Sequence, residues 1–353
     1  MEYDRKNVEL DVNSMLNNRR QSGPSYLGQA GSHNACVRGT AGLGTVLSVA
    51  FLLAPANLAA QALPFHTATA ITTGFEESAM RTFASFFGRG GLRRDGVGIT
   101  DPMQRDIDVF VQAFGVLPYA ITPMWTTRVI VPFVSKAMDF TAPGGARGNY
   151  ETSGVGDVVV DTKWIFFSKN RLKGTTRLGI QGGVKIPLGK TSALLPNGAL
   201  APRPLQVGSG SWDFPVKALF TMTRNRLGLL ANTGYRFNTS DGGIDAGDVF
   251  SYDVALGFRL APWVYKTLRD KSLIVYLELN GEVAGRSKIS GTPNLDSGGH
   301  LLFLSPDIQW IPTPWLLFEG SVQFPIVQDL NGTQLEYDTR FQLGTRFRFS
   351  FLR

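Results

Sequence analysis

The sequence predicts an all-β fold, a transmembrane antiparallel up-and-down β-barrel of about twelve strands. Three observations lead there. From about Phe75 onward, long segments alternate between apolar and polar side chains, the period of a strand whose two faces meet different surroundings. Most segments run about ten to thirteen residues, against the roughly 9–11 that a tilted strand needs to cross a bilayer and the roughly 5–6 of an ordinary strand. Long and short connections also follow one another in turn, as external loops and periplasmic turns do in outer-membrane barrels.

The chain is expected to divide into a leader, 1–62, and a barrel, 63–353. Arg38 precedes the stretch from Thr40 to Ala62, whose apolar run Val46 to Leu53 is too short to span a bilayer; Ala60-Gln61-Ala62 is a small-residue cleavage pattern. Cleavage is predicted after Ala62. Before Ser14 the leader carries Glu2, Asp4, Glu9 and Asp11, which suit no signal. From Met15 to Arg38 it carries Arg19, Arg20 and Arg38 and no acid, so Met15 is a candidate start. The one cysteine, Cys36, falls in the leader, and the exported chain is expected to hold no disulfide or thiolate site. Export of a barrel places the chain in the bacterial outer membrane.

The expected strands lie near 76–88, 107–118, 124–136, 155–167, 175–187, 211–223, 227–238, 249–260, 272–285, 299–311, 315–327 and 335–349. The last is the plainest: Tyr337, Thr339, Phe341, Leu343, Thr345, Phe347 and Phe349 oppose Asp338, Arg340, Gln342, Gly344, Arg346 and Arg348. Phe250, Tyr252, Val254, Leu256 and Phe258 likewise oppose Ser251, Asp253, Ala255, Gly257 and Arg259. A helix would place its apolar residues three and four apart. Connections 89–106, 137–154, 188–210, 239–248, 286–298 and 328–334 are long; 119–123, 168–174, 224–226 and 312–314 are tight, and 261–271 is longer. An even strand count returns both ends of the barrel to one side. Trp125, Phe133, Trp164, Phe166, Trp212, Trp310 and Trp315 near strand ends suit interface girdles or an ordinary core equally.

Alternation does not say which face is inside, since a soluble ligand-binding barrel turns its apolar face inward. With the apolar face toward lipid, the opposite face lines the lumen with both signs of charge, Asp108, Asp161, Lys217, Asp253, Asp307 and Glu319 among them. Seven positions are the candidates for setting the field inside: Lys163, Arg177, Lys185, Glu278, Glu282, Arg346 and Arg348. The competing role for each is structural, pairing across a narrow lumen to fix register.

Enzymatic constellations are poor. Of the three histidines, His33 lies in the leader, His66 just past the cleavage site and His300 on the apolar register, opposite to Ser305 and Asp307. Gly88-Arg89-Gly90-Gly91 and Gly208-Ser209-Gly210 precede no helix, so they are loops and not phosphate cradles. Glu278 and Glu282 on one strand signal a glycosidase or cation site only weakly. No catalysis, cofactor or metal is expected. The net charge of +7 contains no basic run, so nucleic acid is not an expected partner. Forty glycines and 11% aromatics with 18% charged residues argue against disorder.

Several segments resemble the outer-membrane transporter family described as the meta-pathway of phenol degradation: Thr72 to Phe83, Val155 to Phe167, Gly182 to Lys190, Pro204 to Asp213, Ser297 to Pro314 and Val322 to Leu335. They are colinear and span nearly the whole exported chain. The resemblance implies a barrel distantly similar to fatty-acid channels that moves small hydrophobic or aromatic compounds. Two departures stand out. Phe351 is followed by Leu352 and Arg353, displacing the terminal aromatic that assembly machinery reads. Few residues separate Ala62 from the first strand, too few for the large plug of fatty-acid channels, so a gate is expected from loops such as 188–210. That loop mixes prolines (Pro196, Pro202, Pro204) with Leu194, Leu195, Leu200 and Leu205.

The expected function is passive, porin-like passage of small hydrophobic or aromatic solutes through a charged, partly plugged lumen. The expected partners are outer-membrane lipid, the solute and the barrel-assembly machinery. The alternative is a non-conducting structural or interaction barrel, which predicts no permeation.

Overall fold

The computed structural model describes residues 63–72, 77–116, 119–141, 145–195, 198–267 and 269–350. The expected signal segment, Pro196 and the C-terminal Phe351 to Arg353 lie outside them. Twelve long strands form one barrel: β1 Glu77–Gly90, β2 Asp106–Val116, β3 Trp125–Thr141, β4 Val158–Arg171, β5 Gly174–Ile186, β6 Asp213–Arg224, β7 Leu227–Asn238, β8 Val249–Ala261, β9 Ser272–Ala284, β10 Gly299–Thr313, β11 Leu316–Leu330 and β12 Arg340–Ser350. Each pairs antiparallel with the next, and β12 pairs with both β11 and β1, which closes the sheet and leaves no long edge to aggregate. Tyr119–Thr122 prolongs β2 and Arg147–Val155 prolongs β4, each with its register shifted by one residue. Among the described residues no helix is long and apolar enough to cross a membrane; the one helical piece is a 3-10 turn at Arg203–Leu205.

Burial decides which face is inside. On β8, Leu256 is 58% exposed while Ala255 is fully buried and Asp253 is 8% exposed. The same inversion runs round the barrel. Trp164, Phe214, Phe237, Leu277, Ile308 and Phe341 are exposed, whereas Asp161, Asp213, Asn232, Glu278, Asp307 and Gln342 are buried. Water would favour the reverse arrangement, so the outer face is built for hydrocarbon. A strand of 13 residues such as β9 is ~43 Å long at ~3.3 Å per residue and, tilted by ~40°, covers ~33 Å of membrane normal.

Two stretches depart from the expected register. The last strand begins at Arg340 and not near 335, because 333–335 pair with Leu92–Arg94 in a small sheet over the mouth. Tyr337 does not share the outer face of Phe341. The Gln328 amide grips its backbone from both sides, at 2.9 and 2.7 Å, and its ring turns in against Phe303 and Arg89. Asp108 also lies on the outer register, opposite Gly88 and Ala137. Its neighbours Ile107 and Val109 face inward and are buried with Tyr150, Ala201 and Leu205. The apolar side of β2 is therefore the inner one at the long-loop end, where the loops supply apolar cover.

That cover comes chiefly from loop 187–212. Gln206 is 1% exposed, and its amide accepts from Ala193 N and donates to the carbonyls of Ala193 and Ala201. Lys136 on β3 donates to the carbonyls of Pro204 and Gln206. Leu205 is thereby buried, while Leu194 and Leu200 remain exposed. Residues in 240–245 and 288–293 form a separate four-stranded sheet among the loops.

One glycine is demanded by packing inside the wall. Gly257 sits opposite Tyr276, and a Cβ there would lie 2.5 Å from the ring, which is itself buried in the lumen. Gly257→Val is expected to cost ~1–3 kcal/mol by overpacking, read as a lower urea midpoint of the refolded barrel in detergent.

Candidate functional site: the lumen and its strap

Residues 63–72 cross the inside of the barrel. Their partners lie on walls that face one another. On one side the Phe65 amide donates to Asp307 Oδ2 (3.1 Å), and the His66 and Thr67 amides donate to the two Glu278 oxygens (3.0 and 2.6 Å). The Thr67 hydroxyl also donates to Glu278, His66 Nε2 meets Ser321 Oγ at 3.0 Å, and Gln309 donates to the Leu63 carbonyl. On the other side the Ala70 amide donates to Thr221 Oγ1 (2.9 Å), Asn232 reaches the Ala68 carbonyl and Lys163 the Ile71 carbonyl (3.2 Å). The Thr72 hydroxyl ends the crossing on the Pro123 carbonyl, in a tight turn (2.7 Å). A segment bonded to β4, β6, β7, β9, β10 and β11 of a closed barrel can lie only in its lumen. It forms a strap across the half nearer the tight turns.

Besides the loops from which a gate is expected, the lumen holds this segment. Ten residues reach at most ~36 Å when extended, which suffices because the strap crosses the lumen and does not fill it. Backbone groups inside a barrel need partners, and the polar inner wall supplies them. Phe65, Thr67, Thr69, Ala70 and Thr72 are buried. The Phe65 ring packs edge-on to Phe83, with the Arg81 guanidinium 4.7 Å from its centre.

The wall around the strap is ion-paired. Glu319 receives Arg81 at 2.6 Å and Arg346 at 3.5 Å, and Gln309 at 3.2 Å. Arg128 grips Asp161 through Nε and a terminal nitrogen. Lys217 lies 3.9 Å from Asp253, which accepts from Asn280, which accepts from Ser305. Mixed signs give these buried charges their counter-charges, and stripping one partner would leave the other buried and unpaired.

The seven candidate positions fall into separate places. Glu278, fully buried, and Lys163 hold the strap. Arg346 joins the Glu319 group, and Arg348 is buried beside the Trp315 turn, its amide donating to that carbonyl. Lys185 lies toward the mouth, paired with Asp213 and, at 3.6 Å, Asp157. Glu282 sits half-buried between Ser251 and Leu301. Arg177 lies between Ser168 and Thr221, and its Nε has no hydrogen-bond partner among the described residues. Arg81 and the strap itself were not among the candidates. The available signal was a polar residue, Arg81, on the register of Phe83 and Ser85, and His66 with Thr67, Thr69 and Thr72 just before the first strand.

Donor atoms of His66, Glu278 and Asp307 lie within 4.8 Å of one another, a spacing that admits a cation. Both Glu278 oxygens and Asp307 Oδ2 already accept hydrogen bonds from the strap, so the cluster acts first as its anchor.

Beyond the strap the inner wall carries two apolar clusters among its charges. Ile107, Val109, Tyr150 and Leu205 cluster with Phe87, Val111 and Met138, and Leu301, Phe303 and Leu330 with Tyr337. Arg340 spans the two, 4.3 Å from the Phe87 ring centre and 5.9 Å from that of Phe303.

Residues 104–324, more than half of the chain, match the family model described as "Putative MetA-pathway of phenol degradation". The chain belongs to this family. A solved member of the same architecture is an outer membrane channel from Pseudomonas putida F1. It is 12% identical with a TM-score of 0.59, over 82% of this chain and all of that one. A Pseudomonas aeruginosa FadL homologue is 11% identical over 77% of this chain and 89% of its own, with a TM-score of 0.31, too low to carry an argument. No curated protein sequence matches the chain. As a phenol-degradation family member, the protein shares with the Pseudomonas putida barrel a fold, and its function has to be argued from its own lumen.

Proposed function

We propose that the protein is an outer-membrane channel that passes small hydrophobic or aromatic solutes, closed for most of the time, though not all of it, by the strap of residues 63–72. The observation that carries this reading is the two-part lumen. Two clusters of rings and aliphatic side chains lie on the half toward the long loops, and a charged waist lies beneath, spanned by the strap. A planar aromatic solute can shed water onto the first surface and meet cations over its π-face there, Arg340 and Arg89. A barrel meant only as a scaffold has no need of an apolar inner chamber, which costs the wall its water-side polarity.

The test is ion current through the purified barrel in planar bilayers, with phenol added to the long-loop side. Phenol is expected to reduce the current in a dose-dependent way, and glycerol at equal concentration is not. Arg346→Gln with Arg348→Gln is expected to shift the reversal potential toward cation preference, because two buried positive charges leave the waist. Absence of any current, with the barrel folded, would favour a sealed interaction barrel.

A further inference from the structure

The hairpin turns at the end opposite the long loops carry a groove that the channel reading does not use. The β4–β5 turn holds Lys169, Arg171 and Lys173, and the β6–β7 turn holds Arg224 and Arg226. In the sequence of the turns at this end the sole acid is Asp270, and its carboxylate is taken up by Lys266 N and by the amide and hydroxyl of Thr267. Among the described residues none of the five cations has a carboxylate within 4.0 Å. Arg226 is engaged otherwise, donating to the Arg259 carbonyl and lying 3.4 Å from the Trp263 ring centre. The other four are exposed.

Arg171, Lys173 and Arg224 line one groove, of about 520 Å³, beside Thr175 and Asn225. A second, of about 340 Å³, lies on the outer face of β6–β8 and is lined by Leu227, Leu229, Leu256 and Phe258. Met222 and Arg224 belong to both, so the two adjoin. Register explains the apolar part: Met222 faces Leu229 and Leu229 faces Leu256, all on the outward side. The result is a cationic pocket at the rim beside an apolar groove along the wall.

We propose that this compound groove binds one anionic phospholipid from the leaflet at the turn end, a proposal that rests on the membrane-barrel reading above. Its phosphate would sit on Arg171, Lys173 and Arg224, and one acyl chain would follow Met222, Leu229 and Leu256. Guanidinium groups bind phosphate oxygens in pairs, and rim cations without counter-charges attract anionic headgroups. A choline headgroup brings its own cation, which the three side chains repel. A soluble anion would use the pocket and leave the neighbouring apolar groove empty, so the side-by-side placement of the two favours an amphiphile.

Native mass spectrometry of the whole exported barrel in detergent, titrated with phosphatidylglycerol or phosphatidylcholine, tests this. Phosphatidylglycerol is expected to be retained at least about tenfold more tightly. The triple variant R171Q/K173Q/R224Q is expected to erase the preference, and Leu229→Asn to weaken retention of both lipids. Removing equal charge at the other end, R147Q/R286Q/K288Q, is expected to change nothing. Equal retention of the two lipids by the unaltered barrel, or an unchanged preference in the triple variant, overturns the proposal. Displacement of the lipid by glycerol 3-phosphate alone overturns it in favour of a soluble anion. If the triple variant loses the gel shift between unheated and heated samples that marks a folded barrel, R224Q alone replaces it. The readout is a lipid adduct, so a barrel that conducts nothing still tests the site. A chain without a heat shift in detergent would sink the membrane reading itself.

Discussion

Deleting residues 63–72 is expected to turn a mostly closed barrel into an open one. The strap is the sole described segment that crosses the lumen, and its bonds run to six strands on facing walls. Its removal leaves the barrel's own closure untouched, because β12 pairs with β1 through Glu77 to Phe86 without any strap residue. The Glu278 and Asp307 carboxylates lose their amide partners and meet water instead. That is the less costly outcome for a charge, since the penalty arises when a charge is both unpaired and dry. A minor open state is commonly populated at ~0.1–10%, so making it permanent raises mean current about 10–1,000-fold. Planar-bilayer recordings of intact and shortened chains, both checked by heat shift, give the answer. A folded, shortened barrel that stays silent would assign the seal to the loop 187–212 cover and to Arg340.

The strands were legible in the sequence and the strap was not, for physical reasons that particular residues show. Alternation is a property of neighbours, so β8 was readable from Phe250, Val254 and Leu256 against Asp253 and Ala255. The strap has no alternation to read: its partners are wall side chains such as Glu278, 211 positions beyond Thr67. Asp108 shows where alternation misleads. A charge suggests the inner face, but loop 187–212 brings Leu205 down onto Ile107 and Val109, and β2 there turns its apolar residues inward. The inner wall thus changes character along its length, polar around the strap and with apolar clusters near the mouth, and no single rule of polarity fits both halves. Tyr337 fails similarly, since the Gln328 amide, far from it in the alternating pattern, sets its direction.

Glu278→Ala is expected to open the channel nearly as far as deletion does. The side chain is fully buried and takes three donors from two successive strap residues: the His66 amide, the Thr67 amide and the Thr67 hydroxyl. Alanine leaves all three without their acceptor, at ~1–3 kcal/mol for each that stays dry, so the closed strap loses ground to a displaced one in which water serves those donors. Against a closed-state preference of a few kcal/mol, that loss reverses the populations. Glu278→Gln keeps one oxygen acceptor and brings an NH₂ that the strap's donors cannot use, so its current is expected to fall between the two. The decisive comparison places E278A in the chain lacking 63–72. If Glu278 acts by holding the strap, the two changes are non-additive and the doubly altered barrel conducts like the deletion alone. If E278A alters current or ion preference by the same factor in both backgrounds, the carboxylate acts as a wall charge on the permeating ions, and the strap is held by Asp307, Thr221 and Lys163 without it.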